Sequence, residues 1–279
     1  MNPATELKPR RAWSTARQIA NLRRAVLCDF ATAPLTPCAT AAIFVPRPMH
    51  VRGYAMFFRI VVLAAMMFST AAMARELKIN ATAINFAAPS GFCELDEDNK
   101  ADSRMLTTAR GLDSVNLVLT IFADCNQLAT WRSTSNTLLK DMIFFKTLKS
   151  YARPADQSTE SVIKQACAET RAGGDKMIKD GEPDLRARAE TFLKKVDIVG
   201  TQFLGVMDEA PGVCYASLLQ KMKAENGENI AVVVMYTISF VRNELVFLYR
   251  NSRYVDSSSL PTALANLKVS YADFVAANR

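Results

Sequence analysis

Residues 230–249 read IAVVVMYTISFVRNELVFLY, and this stretch decides the fold that the sequence predicts. Two runs, residues 230–241 and 245–249, are rich in the β-branched and aromatic residues that strands favour. The polar connector between them, residues 242–244, is short enough to form a tight turn. The stretch is therefore predicted to form an antiparallel hairpin.

Two more β-rich runs precede this hairpin, at residues 199–207 and 212–222. The connector before residue 230 contains Asn226-Gly227, a dipeptide typical of tight hairpin turns. Connectors this short join neighbouring strands that run in opposite directions. The four runs together predict an antiparallel meander.

The chain after the meander has helical periodicity. Residues 257–259 are three serines, typical of a helix start, and large apolar residues then recur at helical spacing: Leu260, Leu264, Leu267, Tyr271 and Phe274. This pattern predicts an amphipathic helix lying on the sheet. The aromatic residues around the last hairpin are expected to pack beneath this helix, the alternative being a ligand-binding face: Tyr236, Phe240, Phe247, Tyr249 and Tyr254.

The chain between residue 75 and the meander mixes both periodicities. Strand-like runs occupy residues 78–87, 113–124 and 141–146, helical spacing occupies 101–111, 158–176 and 183–196, and a looser segment contains Trp131. Gly173-Gly174 is expected to end the second helix, and Pro183 to open the third. The sequence thus predicts a single α+β domain over residues 75–279: an antiparallel sheet with flanking helices and a C-terminal amphipathic helix packed on it.

Upstream of this domain, residues 56–74 read MFFRIVVLAAMMFSTAAMA and have the organisation of a secretory signal peptide. Arg59 supplies the positive charge, residues 60–68 the apolar run, and Ala72-Met73-Ala74 the small residues of a cleavage site. We expect cleavage after Ala74. The alternative is a membrane anchor, but the apolar stretch is shorter than the roughly 20 residues that span a bilayer. No cysteine follows the apolar run closely, so a lipoprotein is not expected.

Residues 1–55 lie ahead of this signal and show no apolar periodicity. They are predicted to be a disordered leader or the product of a mis-assigned start, with Met49 or Met56 as the true first residue. A basic nucleic-acid-binding arm is the alternative interpretation.

The net charge of +7 does not describe the predicted domain. The chain has 34 Lys and Arg and 27 Asp and Glu, of which residues 1–74 hold nine basic and two acidic ones, so the remainder is formally neutral. Neutrality argues against nucleic acid as a partner. The one histidine, His50, also lies upstream. The predicted domain therefore has no imidazole to serve as a general base or as a metal ligand.

Four cysteines remain after the predicted cleavage site: Cys93, Cys125, Cys167 and Cys214. An even number of cysteines in an exported chain predicts disulfides, and three pairings are possible. The pairing of Cys93 with Cys125 and of Cys167 with Cys214 is favoured, because the first two lie near the edges of neighbouring elements. No C-x-x-C spacing points to a redox or metal site.

Two short motifs invite a catalytic or metal-binding interpretation. Asp96, Asp98, Asn99 and Asp102 resemble a calcium loop, but its sixth and twelfth positions hold Ala101 and Thr107 instead of Gly and Glu. A turn with a helix cap is the expectation there. Ser161 and Lys164 match S-x-x-K of penicillin-recognising enzymes, but the companion motifs are missing. This pair is expected on an exposed helical face.

The C-terminal quarter resembles a known family by the order of its elements. From residue 228 to residue 279 a strand, a tight turn, a strand ending in Tyr249-Arg250-Asn251, a serine-rich loop and a helix follow one another. This order resembles the closing part of PsbP/Mog1-like domains. The chain after the signal also resembles uncharacterised exported proteins of Gram-negative bacteria, on residues 89–93 and 122–125. The resemblance assigns no functional residue.

The sequence therefore favours an exported periplasmic or secreted binding or accessory protein without catalytic activity. Its partner is expected to be an envelope protein or a small ligand, with no cofactor, metal, nucleic acid or stable membrane insertion after cleavage. The alternative is a cell-envelope hydrolase using Ser161 and Lys164 or a carboxylate pair brought together by folding. A third possibility is an anchored envelope protein with an uncleaved signal.

Overall fold

The computed structural model describes residues 75–134, 139–151, 156–193, 196–224 and 226–279. The predicted leader (1–55) and signal peptide (56–74) lie outside the described residues. Within these ranges the strands are β1 Arg75–Ile79, β2 Thr82–Phe86, β3 Phe92–Glu94, β4 Asn116–Asp124, β5 Met142–Leu148, β6 Val196–Ala210, β7 Val213–Ala224, β8 Asn229–Val241 and β9 Glu244–Arg253. The helices are α1 Lys100–Leu112, α2 Cys125–Thr134, α3 Thr159–Phe192 and α4 Ser259–Ala276.

A seven-stranded antiparallel sheet in the order β3-β4-β5-β9-β8-β7-β6 forms the body of the protein. Strands β6 to β9 are consecutive neighbours, so the predicted meander is confirmed. Its last turn consists of Arg242 and Asn243, both left-handed with φ of 51° and 66°. Positive φ at both central residues is the requirement of the hairpin turn that matches strand twist. The predicted α+β class is confirmed.

The first predicted strand, residues 78–87, is wrong: the chain forms a hairpin of β1 and β2 that is a separate two-stranded sheet. Asn80 turns the chain with φ of 54°, a conformation that asparagine tolerates better than most residues. The tip of this hairpin is fixed to the last turn of the meander. The side chains of Asn80 and Thr82 each donate a hydrogen bond of 2.8 Å to Glu244.

Two helical predictions also need correction. The segment with Trp131 is a helix, α2, and the two helices expected between residues 158 and 196 are the single helix α3. Gly174 lies inside α3 and does not end it. The residue is buried against β6, where a β-carbon would clash with the ring of Phe203. Pro183 lies exposed within the helix, which continues through it. The glycine serves packing between elements and not termination.

The sheet has two covered faces. Helices α1, α2 and α3 pack on one, which we call the three-helix face, and α4 with the β1–β2 hairpin packs on the other, the α4 face. Alternate residues of each strand point to opposite faces. On β5, for example, Phe144 belongs to the three-helix face and Phe145 to the α4 face.

Helix α4 lies on the sheet as predicted, packed mainly over β8 and β9. Its Phe274 is buried among the rings of Phe86, at 5.4 Å between centroids, and Phe145, at 4.7 Å. The prediction that the hairpin aromatics pack beneath it is wrong for all but Tyr254, since the others lie on the three-helix face: Tyr236, Phe240, Phe247 and Tyr249. All of them contribute to the core or pack against it.

Candidate functional site

The four predicted disulfide cysteines form two bonds. Cys93 on β3 joins Cys125 at the start of α2, with an S–S distance of 2.05 Å, and Cys167 on α3 joins Cys214 on β7 at 2.08 Å. These are the pairs that the sequence favoured. The second bond is buried, with Cys167 1% and Cys214 0% exposed, whereas Cys93 and Cys125 are partly exposed. The buried bond joins α3 to the start of β7.

Ser161 and Lys164, the S-x-x-K pair, lie on the first turns of α3 and are both exposed. The backbone N–H of Ser161 donates to the Ser158 side chain, which caps the helix. The pair lies near the N-terminus of α3 because Ser158 caps the helix there. A serine before the first turn accepts a backbone N–H in this way.

The acidic turn at residues 96–102 also serves a helix start. Asn99 caps α1 by accepting hydrogen bonds from the backbone N–H groups of Ala101 and Asp102. Asp102 is buried, and its Oδ2 accepts from Arg132 Nε at 3.0 Å and from the Asp96 N–H at 3.0 Å. Across the described ranges, no three His, Cys, Asp or Glu side chains are grouped so that they could hold a metal ion.

A buried ion pair lies on the three-helix face. Lys146 Nζ on β5 is 3.0 Å from Asp113 Oδ2, directly after α1, and their side chains are 1% and 0% exposed. The ammonium also lies over the rings of Tyr249, at 5.0 Å, and Phe144, at 5.4 Å. The carboxylate accepts further hydrogen bonds from the backbone and side chain of Asn116.

Burial raises the pKa of Asp113 to about 6, opposed by the hydrogen bonds from Asn116 and Val115 and by the charge of Lys149. The carboxylate is thus ionised at neutral pH and held by Lys146. Because both side chains are enclosed, water and substrate do not reach them. We therefore assign this pair to the core and not to a functional site.

The best candidate for a functional surface is a tyrosine surface on the α4 face, where α4 meets β6 and β7. We define it by Tyr215 on β7, Tyr271 and Lys268 on α4, and Asp208 on β6. The two tyrosine rings meet edge to face with centroids 6.0 Å apart. Lys268 forms an ion pair with Asp208, and its Nζ lies 5.5 Å from the centre of the Tyr215 ring.

Strand pairing places these groups together. Tyr215 is the register partner of Asp208 on one side and of Thr237 on the other. Two apolar side chains of β6, Leu204 and Met207, remain only partly buried next to the cluster. The result is an apolar strip with an ion pair along its border, and both charges of that pair are 42% exposed.

Both phenols of the tyrosine surface remain protonated at neutral pH. Burial, the neighbouring Tyr271 and the charge of Asp208 raise the pKa of Tyr215 to about 12. Burial also raises the pKa of Tyr271, although a hydrogen bond with Ser239 opposes the shift. The surface therefore offers one ammonium and one carboxylate beside partly buried apolar side chains, a composition suited to binding, while Tyr215 is 6% exposed and lies beneath the Lys268 ammonium.

This surface is not evident from the sequence. Tyr271 was predicted on the apolar side of the last helix and Tyr215 in a β-rich run, whereas Asp208 lay outside the predicted elements. In the sequence, Tyr271 stands out only as a tyrosine among the mostly aliphatic apolar positions of the last helix. This does not show which residues surround it in the fold. Among the described residues, none of the helices has both the length and the apolar composition needed to cross a membrane.

No family model matches the chain, and no curated protein matches it. Two solved structures show a weak resemblance. A point mutant of protein Mog1 is 12% identical, with a TM-score of 0.30 over 74% of this chain and 94% of that one. The Saccharomyces cerevisiae Ran-binding protein Mog1p is 12% identical, with a TM-score of 0.27 over 72% and 88%. Likeness at this level carries no argument about what the chain does.

Proposed function

We propose that the chain is an exported, disulfide-stabilised binding or accessory protein without catalytic activity, acting in the periplasm or outside the cell. The observation that carries the proposal is the pairing of all four cysteines that follow the predicted cleavage site. Disulfides persist in oxidising compartments and are rare in the cytosol.

The binding role is supported by the tyrosine surface. Tyrosine and methionine are enriched where proteins meet other proteins, and the partly buried Tyr271 and Met207 lie beside a partly exposed ion pair. We propose that a segment of an envelope protein binds here, with apolar side chains against Leu204 and Met207. Lys268 and Asp208 at the border would then orient it.

One experiment in a Gram-negative host tests both parts. The full chain is produced with a photo-crosslinking residue at Met207, and the periplasmic fraction is irradiated and analysed by intact mass before and after reduction with thiol labelling. We expect the mass of residues 75–279, no labelled thiol until reductant is added, and one discrete crosslinked partner. The matched control carries the same crosslinker at Lys164, on the exposed part of α3, and should capture nothing discrete.

The two parts fail separately. A mass that retains residues before Arg75, or thiols that label without reductant, overturns the export proposal. A correctly processed protein that gives the same adducts from position 207 and position 164 overturns the binding surface and leaves export standing. A discrete partner should also crosslink less when Lys268→Ala removes the ammonium at the border of the surface.

A further inference from the structure

The outer side of α4 lacks the charges that a solvent-facing helix surface normally carries. The helix buries Leu267 and Phe274 against the sheet. On its opposite side the exposed residues are Thr262, Ala265, Val269, Ala272 and Ala276. We call these five residues the outer α4 face. Val269 is 62% exposed, which is high for a large apolar side chain.

The spacing on this face is that of a heptad repeat. Thr262, Val269 and Ala276 recur every seven residues, and Ala265 and Ala272 fall between them, so the five occupy the a and d positions of a coiled-coil seam. The seam continues over most of the 18 residues of α4.

Two opposite charges flank the outer α4 face on its two borders. Lys268 directly precedes the a-position residue Val269 and is a g position, and Asp273 directly follows the d-position residue Ala272 and is an e position. In parallel two-stranded coiled coils, g and e side chains of the two helices form ion pairs across the seam. A g residue meets the e residue five positions later on the other helix, and this is the separation of Lys268 and Asp273.

We propose that α4 pairs in parallel with the α4 of a second copy of this chain, with the outer α4 face as the seam. Two-fold symmetry then forms the Lys268–Asp273 ion pair twice, once on each border. An antiparallel pair would instead place like charges on the same border. The two sheets lie on opposite sides of the helix pair, since each α4 presents its other side to its own sheet.

The existing contact of Lys268 prepares it for this pair. Asp208 on β6 holds the Lys268 ammonium at the border of α4, and the side chain is still 42% exposed. An ammonium has three donors, so Asp208 leaves others for a second carboxylate. The alanines of the seam allow the helices to approach closely but bury little area. The dimer is therefore weak and concentration-dependent, like other complexes whose interfaces bury little area.

Sedimentation velocity of the oxidised protein over a wide concentration range tests this pairing. The wild type should change reversibly from monomer to dimer as its concentration rises. Val269→Glu, which places a carboxylate in the seam, should raise the dissociation constant at least about tenfold, since burying an unpaired charge is costly. The matched control Lys164→Glu, on exposed α3, should leave association unchanged.

A charge swap distinguishes this register from any other association. Lys268→Glu and Asp273→Lys should each weaken the dimer, and the double variant should restore it, because the pair across the seam is re-formed with its signs exchanged. Asp208→Asn removes the contact that holds Lys268 within one copy but leaves the pair across the seam in place, so it should weaken the dimer less than Lys268→Glu does. A wild type that remains monomeric throughout, or a double variant no better than the single ones, overturns the proposal.

Discussion

The two faces of the sheet each contain an ion pair, and the two pairs differ in their surroundings. On the three-helix face Lys146 and Asp113 are 1% and 0% exposed, and Lys146 Nζ lies 3.0 Å from Asp113 Oδ2. On the α4 face Arg250 and Asp141 are 11% and 29% exposed. Arg250 binds both carboxylate oxygens there, at 3.2 and 2.8 Å, and also reaches the backbone carbonyl of Asn266.

This difference shows which pair the fold depends on more heavily. A partly exposed pair that loses one member can recover water at the other, whereas an enclosed charge cannot. The three-helix face also contains buried polar atoms without a hydrogen-bond partner among the described residues, such as Tyr236 Oη and the Asn251 amide. The core of the α4 face is instead built around the rings of Phe86, Phe145 and Phe274.

Breaking the enclosed pair should have the largest effect. Lys146→Met keeps the length of the side chain but leaves the Asp113 carboxylate buried without its cation. We expect the free energy of unfolding to fall by about 3–5 kcal/mol, the usual cost of an uncompensated buried charge. Urea unfolding of the oxidised protein at pH 7.5 measures it.

The double variant Asp113→Asn with Lys146→Met separates charge from packing. The asparagine oxygen can still accept the N–H groups of Val115 and Asn116, so most of the lost stability should return. Lys176→Met, which removes one member of an exposed pair with Asp180, is the control and should not change stability measurably. If the single variant at Lys146 behaves like this control, the pair is not enclosed.

The pH dependence of the free energy of unfolding tests the same enclosed pair. We expect it to be a smaller effect than that of Lys146→Met. The pKa of Asp113 is about 6 in the folded protein and near 3.8 in the unfolded chain, so the folded state binds the proton more tightly. Its contribution to stability therefore increases as the pH falls through 6, and decreases again as the pH rises through that value. Relative to the double variant, the wild type should gain about 1 kcal/mol between pH 7 and pH 5. Urea unfolding at the two pH values tests this, and a flat or inverted difference contradicts it.

Sequence predicted those parts of the fold that depend on local chemistry. The meander followed from short connectors with turn residues, and α4 followed from a serine-rich start and helical spacing. The first hairpin was missed because Asn80-Ala81 lacks the glycine that usually marks a two-residue turn. The extent of α3 was missed because the role of Gly174 depends on Phe203, which lies in another element.

The candidate site could hardly be predicted from the sequence, because its residues come together through contacts between distant segments. The aromatics Tyr236 and Tyr249 were identified as core residues, but strand alternation does not reveal which face α4 will cover. In the tyrosine surface, Asp208, Tyr215 and Tyr271 come from three elements. Only the cysteine pairing was favoured from sequence, because Cys93 and Cys125 lie near the edges of neighbouring predicted elements and four cysteines allow only three pairings.

The smallest effect is expected at Asn251, on the three-helix face. The residue is 3% exposed, and neither polar atom of its amide has a hydrogen-bond partner among the described residues. Its neighbours in register are Met142 and Val234, both apolar. Asn251→Leu should therefore be neutral or raise the free energy of unfolding by up to about 1 kcal/mol, because it removes a buried polar group that gains nothing from folding.

Asn278, beside the α4 face, is the matched control for this change. It is 7% exposed, but its amide accepts from the Asn85 N–H at 2.8 Å and donates to the carbonyls of Asn85 and Phe274. Asn278→Leu should lower the free energy of unfolding by about 1–3 kcal/mol, because it orphans those backbone groups. Urea unfolding of both variants compares the two faces directly. Equal losses at the two positions would mean that Asn251 also has partners, supplied by a buried water, since a polar site of that kind binds water at two or more groups.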